Sequence, residues 1–216
     1  MITNPQAKRV IFYGDSITSG KAAGRNERLA SNVRFTGIVQ RELGADYDVV
    51  EEGLRARNLV GENPFFPDRN GLETFDPIMF SQMPADIVVL QLGANDCNAR
   101  EGFDAATVAD SLAEYVSKLT ACAKFLACPM PKVFVMLPHT IKEEYFDELL
   151  NKIFAGGAAS KVVALRTALQ TKADELGLPT FDADTFVKAS EADGIHLEPE
   201  DNERLGVALA KFIRSL

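Results

Sequence analysis

From residue 9 to the end of the chain, strand-like and helix-like segments alternate almost without interruption. The strand-like runs are 9–13, 48–51, 86–92, 132–137 and 179–182, short and mostly apolar, with β-branched residues and turn residues at their ends. Continuous apolar runs of this length are the pattern of strands buried on both faces of a parallel sheet. Between them, Val108, Leu112, Val116, Leu119 and Ala123 fall three or four residues apart, on one face of a helix. Val162, Leu165, Leu169 and Leu176 mark a second helix, closed by Gly177, and residues 33–43, ending at Gly44, fit a helix after the first strand. A last helix carries Leu205, Ala208, Leu209, Phe212 and Leu216, with Pro199 near its start. This alternation over 216 residues predicts one α/β domain, 1–216, with three layers, a parallel sheet and right-handed crossovers. Residues 58–76, with Pro64, Pro67, Gly71 and the adjacent Phe65 and Phe66, read as an irregular excursion, and long loops of this kind are usually functional or make contacts.

The charge balance narrows the partners. Lys and Arg number 23 against 31 Asp and Glu, a net charge of −8, which lacks the basic footprint of a nucleic-acid binder and is repelled by anionic membrane surfaces. The sequence shows no signal-peptide pattern and no apolar run of membrane-spanning length. Cys97, Cys122 and Cys128 have no metal-ligand spacing and read as reduced, mostly buried thiols, so a cytoplasmic location is expected.

In an open α/β sheet, ligands bind at the carboxyl ends of the strands. The residues that follow the five runs are therefore the candidates: Gly14 to Gly20, Glu52-Gly53-Leu54, Gly93-Ala94-Asn95-Asp96, Pro138-His139, and, after a short loop, Asp193-Gly194-Ile195-His196. The first loop resembles a phosphate-binding loop superficially, because Gly20 precedes Lys21. Five residues instead of four separate its glycines, Ala22 stands where a magnesium-binding hydroxyl belongs, and Asp15 would repel phosphate. The other reading makes Ser16 a nucleophile at a strand-to-helix turn, with the helix amino end favouring a developing oxyanion. A serine there is also an ordinary helix cap, so the reading needs partners.

Asp193 lies three residues before His196, close enough to orient its imidazole as a general base. His139 is the rival base, and it lacks an aspartate at short spacing. The Gly53 amide, the Asn95 side-chain amide and the Ser16 amide supply three candidate donors for an oxyanion hole. Gly53 as a turn residue and Asn95 as a loop residue are the plainer readings of each alone.

Taken in order, these blocks resemble the SGNH hydrolases, or GDSL esterase/lipase family. Gly14-Asp15-Ser16-Ile17 matches the serine block, Gly53 the glycine, Gly93-Ala94-Asn95-Asp96 the asparagine block and Asp193-Gly194-Ile195-His196 the histidine block. Glu51 to Arg57, residues 153–157, Gly194-Ile195-His196-Leu197 and residues 202–206 look most like its bacterial arylesterase and acyltransferase branch. The resemblance implies a flavodoxin-like α/β/α fold with a five-stranded sheet, and an esterase with no metal or cofactor. It implies Ser16 as nucleophile, His196 as base, Asp193 as its orienter, and Ser16, Gly53 and Asn95 as oxyanion donors. The expected substrate is a small ester with a short acyl group, acetyl or aryl. The same acyl-enzyme could also pass its acyl group to an alcohol; a deacetylase of acetylated carbohydrates and a non-catalytic metabolite-binding module on the same fold are the alternatives. Asp15 and Asp96 read as scaffold. Ser19, at a position where that branch often carries tryptophan, and His139, in a segment that tends there to be proline-rich, are pocket candidates. Arg57 is a third, with a structural role as its plainer reading. Branch resemblance and the 58–76 excursion favour a homo-oligomer.

Overall fold

The computed structural model describes residues 4–99 and 102–216. Five strands, β1 (Lys8–Gly14), β2 (Tyr47–Gly53), β3 (Ile87–Gln91), β4 (Lys132–Leu137) and β5 (Thr180–Asp182), form one parallel sheet in the order β2-β1-β3-β4-β5. This is the flavodoxin-like order, with its reversal of direction beside β1 and β3, where such sheets open a crevice for ligands.

The inner stretches of β1, β3 and β4 are apolar because both faces are covered, whereas β2, at the sheet edge, is half-buried and carries Asp48, Glu51 and Glu52; the strands' alternation of two divides the core. Ile11 and Tyr13, Val88 and Leu90, and Val133 and Val135 point to one side. There they meet α3 (Gly71–Gln82), α4 (Ala105–Phe125) and α6 (Ala158–Glu175), through Phe75 and Met79, Leu112 and Leu119, and Leu165 and Leu169. Val10 and Phe12, Val89, and Phe134 and Met136 point to the other, onto Phe35 and Val39 of α2 (Phe35–Leu43) and Leu205 and Leu209 of α7 (Pro199–Ser215). The expected three layers are thus present, and Pro199 stands at the first position of α7 as anticipated.

Two expectations need correcting. The stretch read as irregular over 58–76 ends at Asn70, whose side chain accepts from the Leu72 amide and starts α3. Asn70 with Glu73 three residues on is the capping signal that marks this start, obscured by Pro77 inside the helix. The helix after β1 is also not the one expected to carry the serine. Residues 16–19 form a single turn, α1 (Ser16–Ser19), and α2 begins only at Phe35. A single turn sums few peptide dipoles, so the helix dipole expected at Ser16 is small. What the turn supplies is free amide groups. A further short helix, α5 (Glu148–Phe154), lies between β4 and α6 and was not expected.

Candidate functional site

The carboxyl ends of β1, β2 and β3 bring Ser16, Gly53 and Asn95 to one rim. Asp15 caps α1 by accepting from the Ile17 amide through Oδ1 at 2.9 Å, which turns the chain sharply at Ser16. Gln91, the last residue of β3, braces the same turn. Its Oε1 accepts from the Thr18 hydroxyl at 2.7 Å and from the Thr18 amide at 3.2 Å. The Ser16 amide makes no hydrogen bond within the described residues, so its N–H is available to a ligand.

Across the rim, the loop before α7 delivers Asp193 and His196. The His196 Nε2 lies 2.9 Å from Ser16 Oγ and its Nδ1 lies 2.8 Å from Asp193 Oδ2. Asp193 Oδ1 accepts from the amides of Ile195 and His196, and Oδ2 also accepts from Gly24 at 2.8 Å. These contacts account for the spacing of three: the carboxylate caps its own loop and reaches the imidazole of the residue it caps. Gly194 makes the loop possible. Its φ is +74°, and a Cβ there would lie 2.1 Å from the Lys142 carbonyl oxygen.

The electrostatics set the tautomer. Burial lowers the His196 imidazole below its ordinary range, partly opposed by Asp193. Asp193 is held far below the usual carboxylate range: burial opposes its charge, and the contacts with His196 and the loop amides more than offset it. At neutral pH the imidazole is therefore neutral, with its proton on Nδ1 toward the carboxylate. The Nε2 lone pair faces the serine hydroxyl, the arrangement needed to take its proton.

Gly53 packs edge-on against α1, where a Cβ would meet the Ser19 amide nitrogen at 2.2 Å and the Thr18 carbonyl carbon at 2.6 Å. Any side chain here would push α1, and Ser16 with it, off β2. The Asn95 side-chain nitrogen donates to the Arg57 carbonyl at 3.1 Å and stands 3.5 Å from Asp15 Oδ2. Asp96 accepts from the Leu59 and Val60 amides, the scaffold role expected of it.

Beside Ser16 a small cavity is walled by Asn95, His139, Ile141, Phe154 and Ile195, and leaves about 10 Å³ for the centre of a water-sized group. His139 borders this cavity. It is not a second base for Ser16, because its Nε2 donates to the Ile195 carbonyl at 2.6 Å and burial holds the ring neutral.

Arg57 and Ser19 do not border this cavity. Arg57 is 3% exposed. Its guanidinium stacks 4.1 Å from the centre of the Tyr13 ring, and Nη1 donates to the Gly14 and Glu52 carbonyls. The ends of β1 and β2 leave carbonyls that need donors, and that need draws Arg57 inward. Ser19 is buried where its amide meets Gly53 and its carbonyl accepts from Arg28.

Two neighbours of the relay were not anticipated as such, Gln91 and Lys21. A glutamine inside an otherwise apolar strand is a signal for the first. Lys21, in sequence, is part only of the loop that fails as a phosphate site; its Nζ stands 3.5 Å from Asp193 Oδ2 and 3.3 Å from His196 Nδ1. Among the described residues no cluster of His, Cys, Asp and Glu is arranged to hold a metal ion, and no helix is long and apolar enough to cross a membrane.

Residues 12–203 match the model of the GDSL-like lipase/acylhydrolase family. Among solved structures, the native aryl esterase of M. smegmatis is 33% identical with a TM-score of 0.90, over 97% of this chain and 100% of that one. Est24, a carbohydrate acetylesterase from Sinorhizobium meliloti, is 29% identical with a TM-score of 0.89, over 96% and 99% of the two chains. A putative arylesterase from Agrobacterium tumefaciens str. C58 is 25% identical with a TM-score of 0.85, over 96% and 98%. A sequence search of curated proteins returns no significant match.

Proposed function

The chain belongs to the GDSL-like lipase/acylhydrolase family, the SGNH hydrolases, and is a carboxylic ester hydrolase; from that premise we propose that it is a serine esterase for short acyl esters, acetyl above all. Ser16 Oγ attacks the ester carbonyl while His196 Nε2 takes its proton, and Asp193 stabilises the imidazolium that forms. The carbonyl oxygen, now charged, is received by the Ser16 and Gly53 amides and the Asn95 side chain. The imidazolium returns the proton to the leaving alcohol as the tetrahedral intermediate collapses to an acyl-enzyme. Water then repeats the sequence, giving up its proton to His196, and the acid leaves. An alcohol entering in place of water carries the acyl group away as a new ester.

The observation that carries this reading is the Asp193–His196–Ser16 relay, at 2.8 and 2.9 Å, beside a cavity that leaves only about 10 Å³ for the centre of a water-sized group. The cavity supports a small acyl group, because Ile141, Phe154 and Ile195 close it with apolar side chains. The carbohydrate acetylesterase among its relatives agrees with an acetyl group, and the aryl esterase beside it leaves the alcohol open. A series of p-nitrophenyl esters from acetate to octanoate, with acetylated sugars alongside, tests it. The expected result is a kcat/KM highest at acetate and falling by about tenfold or more by octanoate, since a chain that does not fit loses its transition-state contacts. A maximum at long chains would contradict the short-acyl assignment.

A further inference from the structure

Lys21 has no part in the mechanism above, yet it lies against the side of the relay away from Ser16. Its position is fixed through the backbone. Its amide donates to the Ser16 carbonyl at 2.9 Å, directly after Gly20 ends α1 in a left-handed conformation, and the chain pairs back at Arg28. The loop it opens then folds over Asp193, where Gly24 donates to Oδ2. Glu51, paired with both Arg28 and Arg34, ties the far side of that loop to β2. Lys21 is therefore carried at a set distance from nucleophile, base and carboxylate alike.

We propose that Lys21 is a positioning residue of the relay, whose ammonium neutralises Asp193 on its outer side and keeps His196 in its neutral, basic form into mildly acidic solution. This rests on the reading of His196 as the general base. The ammonium touches both partners, 3.5 Å from Asp193 Oδ2 and 3.3 Å from His196 Nδ1. The Nδ1 proton is already given to Asp193, so the contact with the ring is a charge beside it and not a hydrogen bond to it. A cation there raises the cost of forming imidazolium, as any like charge at a few ångströms does. The side chain is 23% exposed, so water screens the effect only in part.

The other charges around the pair do not duplicate Lys21. Asp193 acts in the opposite sense and favours imidazolium. Arg55, held by Asn26 and the Glu27 carbonyl, adds a second positive field on His196 without touching it. His139 is neutral and bonded to Ile195, and Asp147 acts on the Lys21 ammonium itself. Of these cations, Lys21 alone is in contact with the dyad. The arrangement carries a cost: charge that protects the base from acid also opposes the imidazolium of the transition state.

The pH profile of kcat/KM separates this from a merely structural lysine. Lys21→Met keeps the apolar stem and removes the charge. The acid limb is expected to move up by about one pH unit, and Lys21→Arg should restore the original limb. A limb that stays in place or moves down in Lys21→Met overturns the proposal. Titration of the His196 ring protons by NMR, in Ser16→Ala with and without Lys21→Met, reads the same shift with no turnover needed. An unshifted ring there overturns the Lys21 role alone, whereas esterase activity surviving Ser16→Ala would overturn the reading beneath it. If Lys21→Met fails to fold, Lys21→Gln serves in both measurements.

Discussion

Ser16 is 8% exposed, and most of what surrounds it was placed by residues with no chemistry of their own. Asp15 is the clearest case. Burial pushes its carboxyl up to about 6, with the Ile17 amide only partly offsetting the loss of water. A carboxyl whose pKa is higher in the folded chain than in the unfolded one binds its proton more tightly when folded. Its contribution to stability is complete below about pH 4 and is lost as pH rises through about 6. Asp15→Asn keeps an oxygen for the Ile17 amide and removes the titration, so its urea midpoint should decline less between pH 4 and 6 than that of the parent. The difference should be up to about 3 kcal/mol, and identical curves would show that Asp15 does not titrate in this window. At this scale the sequence was informative wherever function and spacing coincide, as in Asp193 and His196. It was silent where partners are distant in the chain. Lys21 meets His196 across 175 residues and Gln91 meets Thr18 across 73, and neither pairing leaves a local pattern.

Among the elements, the central strands β1, β3 and β4 were legible because strands buried on both faces of a parallel sheet demand continuous apolar runs, and the edge strands β2 and β5 showed shorter ones. The observed strands differ from the expected ones by only a residue or two at the ends. The single-turn α1, the short α5 and α3 with its internal Pro77 were not found, because none shows a sustained helical period. The loops between elements carry the site, and Gly194 shows how narrowly they are shaped. Replacing it by alanine adds a Cβ against the Lys142 carbonyl at 2.1 Å and strains a backbone at φ +74°. Gly194→Ala should lower stability by about 2–4 kcal/mol and depress kcat as Asp193 and His196 move with the loop. Thermal unfolding read beside turnover checks this, and a variant unchanged in both would mean the loop relaxes without disturbing the relay.

At the scale of the molecule, the sheet order β2-β1-β3-β4-β5 sets Ser16, Gly53 and Asn95 on adjacent strand ends, and α7 anchors the loop that brings the histidine to them. The same polar rim was visible in the sequence as the set of residues that follow the strands; the order of the strands came with the family resemblance. The size of the cavity was not visible, because Phe154 reaches it from a helix the pattern did not reveal. The central claim is that Ser16 is the nucleophile of an acyl-enzyme, and a fluorophosphonate tests it most directly, since it phosphonylates only a serine activated by a base. Intact-mass and peptide analysis should find one adduct per chain, on Ser16, with esterase activity lost in proportion and no labelling of Ser16→Ala. An unmodified protein that still hydrolyses p-nitrophenyl acetate, or an adduct elsewhere that abolishes activity, would contradict it.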